Sequence, residues 1–490
     1  MTTVRRAVFF SFLESYLGLA LNIVSFTLLA RLLTPKQIGV YSVALAIIGV
    51  MQVIRDFGLV NFLIQKKDLT REYIASAWGL SLLLGSALFL IVELGAPLIG
   101  RFYADDAIKV IARIVALNFI LLPINSVCLA LLKRDMKFHI VMRINTSASV
   151  IGTLLTLLLA WLGWGALSLA LGTVANSAVV AASVIASGAL RRLGRPSLSK
   201  AREILAFGGP LTGANIITSI SMDINDLAVG KILGFTEVAI ISRGQGLMNL
   251  FHRDFMSAVR NVALPAFAQA NRAAESLDEK YIAAVTAVTA IAFPFYGFMS
   301  LFPLDVIRLM FGTQWDQAAF LVPYFCVAGA FAATYSLIQA VMLAAGHAGL
   351  VSTAEFIIQP IKAVILITVV MTFKALEPFA ISYLLVTALS GPYLYYFKQK
   401  RIPTHFRLLG ARLGANLALA VACLTPPALI AHAMRTGDAP LPVAVFLACA
   451  VLCAVIWLLA VALSKHPLYW EVMAIVARRR EQRLAAGKSA

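Results

Sequence analysis

The chain has 490 residues, of which 61% are hydrophobic and 13% charged, against about a quarter charged in ordinary soluble domains. Its formal net charge is +18 and its mean hydropathy +0.88. That balance excludes a soluble globular enzyme, a disordered chain and a disulfide-stapled secreted domain, and leaves an all-α integral membrane protein.

The opening MTTVRRAVFF is basic and enters an apolar run without a small-residue cleavage site, so an uncleaved first span is expected at 9–31. A template of about 20 apolar residues then finds spans at 39–63, 75–99, 107–132, 140–162, 166–190, 204–228, 238–260, 282–303, 317–345, 349–373, 377–397, 411–432 and 441–464. The expectation is therefore about 14 transmembrane helices. In YADDAIKV (103–110), Asp105 or Asp106 is placed to cap the fourth span. Cys128, Cys326, Cys423, Cys449 and Cys453 fall inside apolar runs, lack disulfide or zinc spacing, and read as packing residues. The histidines are scattered and no metal site is expected.

Loop charge gives an independent orientation, because Lys and Arg accumulate on the cytoplasmic side. With the N-terminus inside, the inner segments hold most of the 41 basic residues, among them Arg5, Arg6, Lys66, Lys67, Arg191, Arg192, Lys398, Lys400, Arg478, Arg479 and Arg480. The outer segments hold Arg31, Lys36, Arg101, Lys109, Lys231, Arg308, Lys374 and Arg435. Both termini are thus expected in the cytoplasm, the positive charge requires no nucleic acid, and the basic tail at 465–490 would face anionic lipids.

The two halves repeat. LLARLLTPKQIGVYSVA (28–44) aligns with AVGKILGFTEVAIISRG (228–244), and Arg55-Asp56-Phe57 returns as Arg253-Asp254-Phe255. The reading is two pseudo-symmetric six-helix lobes in parallel, 1–200 (spans 1–6) and 201–400 (spans 7–12), around a central cavity, with two extra C-terminal helices at 401–464.

Polar residues gather on single helix faces, which cannot favourably meet lipid and must face protein or a watery cavity. Span 1 carries Glu14, Ser15, Gly18, Asn22 and Ser25, and span 7 carries Thr212, Asn215, Ser219, Asp223 and Asp226. Span 8 carries Ser242, Gln245, Asn249, His252 and Arg253, and span 11 carries Ser352, Glu355, Gln359 and Lys362. Helix-to-helix hydrogen bonding is the simpler alternative for each isolated polar residue. Adjacent residues on an α-helix do not face one another, so Arg55-Asp56 and Arg253-Asp254 are each expected to seek partners on other helices, as anchors or as a gate. Glu14 lies at the depth of Arg253 and is the candidate partner for a contact that alternates. Glu93 in span 3 is positioned to pair with Arg113 in span 4.

LARLLTPKQIGVYSVALAI, the RDFGLVNFLIQ that follows it and LMFGTQW (309–315) resemble polysaccharide flippases of the Wzx (O-antigen) type, within the multidrug/oligosaccharidyl-lipid/polysaccharide exporter superfamily. The resemblance runs over roughly residues 5–400. It implies a bacterial inner-membrane protein that moves an undecaprenyl-pyrophosphate-linked oligosaccharide to the periplasmic leaflet by alternating access, beside a polysaccharide polymerase and chain-length proteins. Such a cargo needs cations for its pyrophosphate, amides and hydroxyls for its sugars, and an apolar opening for its tail.

The substrate-cavity candidates are accordingly Asn22, Arg31, Arg113, Asn215, Asp223, Asp226, Arg243, Gln245, Asn249, Glu355, Gln359 and Lys362. Lys362 leads as the pyrophosphate contact, about 20 Å into its span. No P-loop or other cofactor motif occurs, so coupling to protons or sodium is expected through Glu14, Asp56, Asp223, Asp226, Asp254 or Glu355. Two alternatives stay open: an ion-coupled small-molecule antiporter of the same superfamily, and a membrane enzyme that polymerises or ligates lipid-linked glycans. The short outer loops speak against the enzyme.

Overall fold

The computed structural model describes residues 2–56, 58–435, 439–464 and 466, so all of the expected basic tail except His466 lies outside the described residues. The described elements are all helical. In the first half they are α1 (Thr2–Leu32), α2 (Pro35–Asp56), α3 (Leu59–Gln65), α4 (Arg71–Tyr103), α5 (Asp106–Ala116), α6 (Asn118–Arg134), α7 (Phe138–Trp161), α8 (Ala166–Ala186) and α9 (Ala201–Ile232). There follow α10 (Phe235–Asn249), α11 (Met256–Arg272), α12 (Leu277–Leu301), α13 (Pro303–Phe311), α14 (Asp316–Ala319), α15 (Val322–Tyr335) and α16 (Ile338–Ala344). The last four are α17 (Ala348–Phe373), α18 (Leu376–Gln399), α19 (Phe406–Met434) and α20 (Val443–Leu463).

Local chemistry sets several starts. Thr34 and Gln37 form a reciprocal capping box at α2, with Thr34 N donating to Gln37 Oε1 at 2.9 Å, and Pro35 takes the first helical position. Asp105 caps α5 as expected, its Oδ1 accepting from Ala107 N at 2.8 Å.

Among the described residues, nine helices are long and apolar enough to cross a membrane, at spans 3, 4, 5, 6, 9, 10, 11, 13 and 14. Spans 1, 2, 7, 8 and 12 are helical but are not among the nine. Four spans expected to be continuous are interrupted among the described residues. Span 2 breaks between α2 and α3, span 4 between α5 and α6 at Leu117, span 8 passes through a π-helical turn, Leu250–Phe255, and span 10 is divided among α14, α15 and α16.

The chain divides into two compact units, Met1–Ile240 with Gln359–Ala375, and Ile241–Ile358 with Leu376–Ala490. The sequence repeat would divide the chain near 200; by contact, α9 packs with the first unit.

In the first unit, α2 lies against α5, α8 and α9, and α7 crosses α8 closely. A Cβ on Gly172 would fall 1.7 Å from Thr156 Oγ1, and one on Gly39 the same distance from the Phe235 carbonyl oxygen. Small residues let backbones approach where apolar burial gives little drive, because lipid tails are as apolar as Leu.

The second unit is organised around α12, which packs on α15 and α19. The two C-terminal helices are bound into this unit. Asn416 of α19 donates to the Thr286 carbonyl and to Thr289 Oγ1, both at 2.8 Å, and Trp457 of α20 donates to the Ala290 carbonyl at 2.8 Å. Polarity is inverted relative to a soluble domain: Leu94 and Leu463 are 79% and 82% exposed, while Asn416 and Lys398 are fully buried.

Candidate functional site

Both copies of the Arg-Asp-Phe motif sit at helix discontinuities. In the first copy α2 ends at Asp56, and Gly58 turns the chain with φ 64°, a left-handed conformation that glycine accepts without strain, before α3 begins. Arg55 is buried; the Asp56 side chain and Phe57 lie outside the described residues. Arg134 holds the end of α3, donating to the carbonyls of Leu63 (2.7 Å), Ile64 (3.0 Å) and Lys67 (3.0 Å), which satisfies acceptors that a helix C-terminus leaves open.

The second copy occupies the π-helical turn itself. There the expectation that each charge seeks another helix is corrected, since Arg253 Nε donates to Asp254 Oδ1 at 3.0 Å. The Arg253 side chain is 66% exposed, so nothing restrains it from folding back, and the α-helical rule on neighbours does not govern the wider π turn. Arg260, about two turns on, reaches the carbonyls of His252 (3.4 Å) and Arg253 (3.5 Å). Glu14 accepts from Asn145 Nδ2 at 2.7 Å, so each of the two residues considered for a cross-lobe contact has a local partner.

The α9 stripe places carboxylates against α2. Asp223 accepts from Ser219 Oγ at 2.9 Å, and a Cβ on Gly49 would sit 3.0 Å from Asp223 Oδ2, so glycine there makes room for the carboxylate. Asp226 follows on the same face, half-buried; the Asn215 side chain lies outside the described residues. On α17 the Glu355, Gln359 and Lys362 positions follow one another at helical spacing and are half-buried. Among the described residues, no three His, Cys, Asp or Glu side chains converge as a metal would require.

The remaining cations divide by environment. Arg31 and Asn22 are exposed on α1, and Gln245 and Asn249 half-buried on α10. Arg113 meets Glu93 at 3.2 Å, tying α5 to α4. Arg243 is buried, with its guanidinium 4.8 Å from the Trp315 ring centre and 5.4 Å from that of Phe311. The LMFGTQW stretch therefore walls in this arginine, a use that the sequence alone does not disclose.

Other polar contacts are not legible in the sequence. Lys398, counted as an inner-loop charge, is fully buried at the end of α18. Its ammonium donates to Asp278 Oδ1 (2.9 Å), Thr404 Oγ1 (2.7 Å) and the Ile402 carbonyl (3.4 Å) and lies 4.5 Å from the Tyr281 ring centre. Asp278 also accepts from His405 N at 3.0 Å. Two arginines expected in outer segments have carboxylate partners within this unit: Arg435 to Asp305 at 2.6 Å and Arg308 to Asp316 in a two-pronged contact at 2.8 and 2.6 Å. In the first unit, Lys66 and Tyr73 bond Glu203 at 2.5 and 2.7 Å and hold its carboxyl below the usual range.

An apolar groove of about 740 Å³ runs along α12, α15 and α19, lined by Phe293, Gly297, Val327, Phe331, Leu417 and Val421 among others.

Comparison with known proteins places these features. A family profile described as "Polysaccharide biosynthesis protein" matches residues 28–320, more than half the chain. The lipopolysaccharide biosynthesis protein WzxC of Escherichia coli (strain K12) is 26% identical over 64% of this chain; the match covers 64% of that relative, a little under two thirds of its length. The succinoglycan biosynthesis transport protein ExoT of Rhizobium meliloti (strain 1021) is 23% identical over 64% of each chain. In fold, the chain resembles the lipid II flippase MurJ in an inward closed conformation, with a TM-score of 0.74 and 14% identity over 94% of this chain and 99% of that one.

Proposed function

Because the chain belongs to the polysaccharide biosynthesis protein family, we propose that it is a flippase that moves a polyprenyl-pyrophosphate-linked oligosaccharide from the inner to the outer leaflet of a bacterial plasma membrane. The apolar groove along α12, α15 and α19 carries the lipid-linked part of this reading. A membrane-embedded furrow lined by Phe, Leu, Val and Gly suits an isoprenoid tail, and a small soluble substrate would have no use for it. The names of the relatives, which speak of lipopolysaccharide, succinoglycan transport and lipid II, support the same class of cargo.

The pyrophosphate falls to cations deep in the spans, with Lys362 first. Lys362→Ala should lower surface glycan sharply at unchanged protein abundance, and Lys362→Arg should retain part of it; normal glycan display by Lys362→Ala removes the residue from the site. Coupling is assigned to Asp223 and Asp226, two carboxylates on one face of α9, the first set against Gly49. Polymerase and chain-length proteins would take the delivered cargo. The deciding experiment is deletion of the gene followed by leaflet-resolved assay of lipid-linked oligosaccharide. Accumulation on the inner leaflet supports transport; an unchanged distribution refutes it.

Orientation is tested separately. The five native cysteines are buried and should label slowly. Ala375 between α17 and α18 and Ser187 at the end of α8 are both exposed. With both termini cytoplasmic, Ala375→Cys should react with an impermeant thiol reagent in intact spheroplasts, and Ser187→Cys only after permeabilisation. The opposite labelling would invert the topology.

A further inference from the structure

A second cavity, of about 490 Å³, opens within the first unit between α1, the end of α6 and the start of α7. Its polar lining is Glu14, Lys133, Asn145, Thr146 and Ser149, and Phe138 contributes an aromatic ring. Val141, Asn145 and Ser149 follow one another at helical spacing on α7, while Glu14, Gly18 and Leu21 do so on α1. Gly18 keeps the α1 wall low, since a Cβ there would meet no atom within 4 Å. The volume falls within the range of small-ligand sites, about 300–1,000 Å³.

The chemistry of this lining is specific. Asn145 Nδ2 donates to Glu14 Oε1 at 2.7 Å, which orients both planar groups. Glu14 Oε2, Asn145 Oδ1, two hydroxyls and the Lys133 ammonium then offer a mixed set of donors and acceptors. A phosphate would call for several cations, and the cavity has a single ammonium beside a carboxylate. A ring bearing many hydroxyls, with a C–H face for Phe138 and hydroxyl edges for the carboxylate, amide and hydroxyl groups, matches the set.

We propose that this cavity is a saccharide subsite, where the glycan of the cargo is read on the cytoplasmic side. The inference rests on the flippase reading and extends it to substrate selection: this cavity takes the sugars of the cargo. Occupancy would displace water from around Glu14 and Asn145, so a glycan lacking the matching hydroxyl would leave buried polar groups unpaired and be rejected.

The test uses the purified full chain in nanodiscs with two probes: the oligosaccharide released by mild acid from the producing strain's own lipid-linked pool, and undecaprenyl phosphate. Gly18→Leu fills the cavity without removing a hydrogen bond, and Ser149→Ala removes one hydroxyl with little change of volume. Both should remain monodisperse. Each should weaken oligosaccharide binding, Ser149→Ala by about tenfold as for one lost hydrogen bond and Gly18→Leu by more, and leave undecaprenyl phosphate binding unchanged. Unchanged oligosaccharide affinity in folded Gly18→Leu overturns the subsite, as does an equal loss for both probes or no oligosaccharide binding by the wild type. Failure of the transport reading has a different signature: a protein that binds the oligosaccharide while gene deletion leaves the inner-leaflet pool untouched.

Discussion

Lys398→Met is expected to lower the stability of the second unit by about 3–5 kcal/mol, the usual cost of removing one partner from a buried ion pair. The ammonium is fully buried and uses its donors on Asp278, Thr404 and the Ile402 carbonyl. Without it, the Asp278 carboxylate remains 5% exposed, with only the His405 backbone N–H and ring nitrogen as close polar partners. Those contacts, together with the position of Asp278 in the first turn of α12, place the loss nearer the lower end of the range. A second substitution, Asp278→Leu, should recover most of the stability, because it removes the stranded charge and an apolar pair can replace a buried ion pair at little cost. Thermal unfolding of the single and double variants in detergent checks the cycle. A Lys398→Met protein that melts with the wild type would show that this pair does not hold α12 to α18.

That lysine also shows where reading the sequence stops. Hydropathy places nine of the expected spans among the described residues because lipid imposes about 20 apolar residues on each crossing, and capping places Asp105 because its partner is two residues away. The loop-charge rule counts residues by position along the chain and takes no account of partners. Lys398 therefore reads as an inner-loop cation, since its carboxylate stands 120 residues earlier. Arg243 is similar: its depth in a polar stripe is legible, whereas its enclosure by Phe311 and Trp315 depends on a turn some seventy residues on. The helix interruptions escape for another reason. A hydropathy window averages over a whole crossing, and a break can depend on one residue, as at Gly58. The repeated Arg-Asp-Phe motif marked two of these breaks, although the rule applied to it, that neighbours on an α-helix diverge, holds only where the helix is α.

Deleting Phe255 is expected to abolish transport while leaving the fold intact. A π-helical turn bonds i to i+5 and so holds one more residue than the α-helix on either side of it. Removing one residue lets Leu250–Phe255 close as α-helix, and Met256, itself fully buried, anchors the chain that follows in its place. Phe255 is 41% exposed, so its deletion leaves little cavity; the main loss is its stack on Phe251 at 4.7 Å. The unfolding temperature should therefore stay close to that of the wild type. On the flippase reading, transport should not survive, because rocking between inward- and outward-facing states requires helices that bend, and sharp bends occur at such irregular turns. The first copy of the motif supplies the matched case. Gly58→Ala places a Cβ on a left-handed backbone, at a cost of roughly 1–2 kcal/mol, and penalises the bent junction between α2 and α3. It should slow transport less than the deletion, since alanine strains the bend without removing it. Wild-type glycan export by a well-folded Phe255 deletion would mean that the π turn is a packing detail, and the recurrence of the motif at two helix breaks would then need an explanation other than motion.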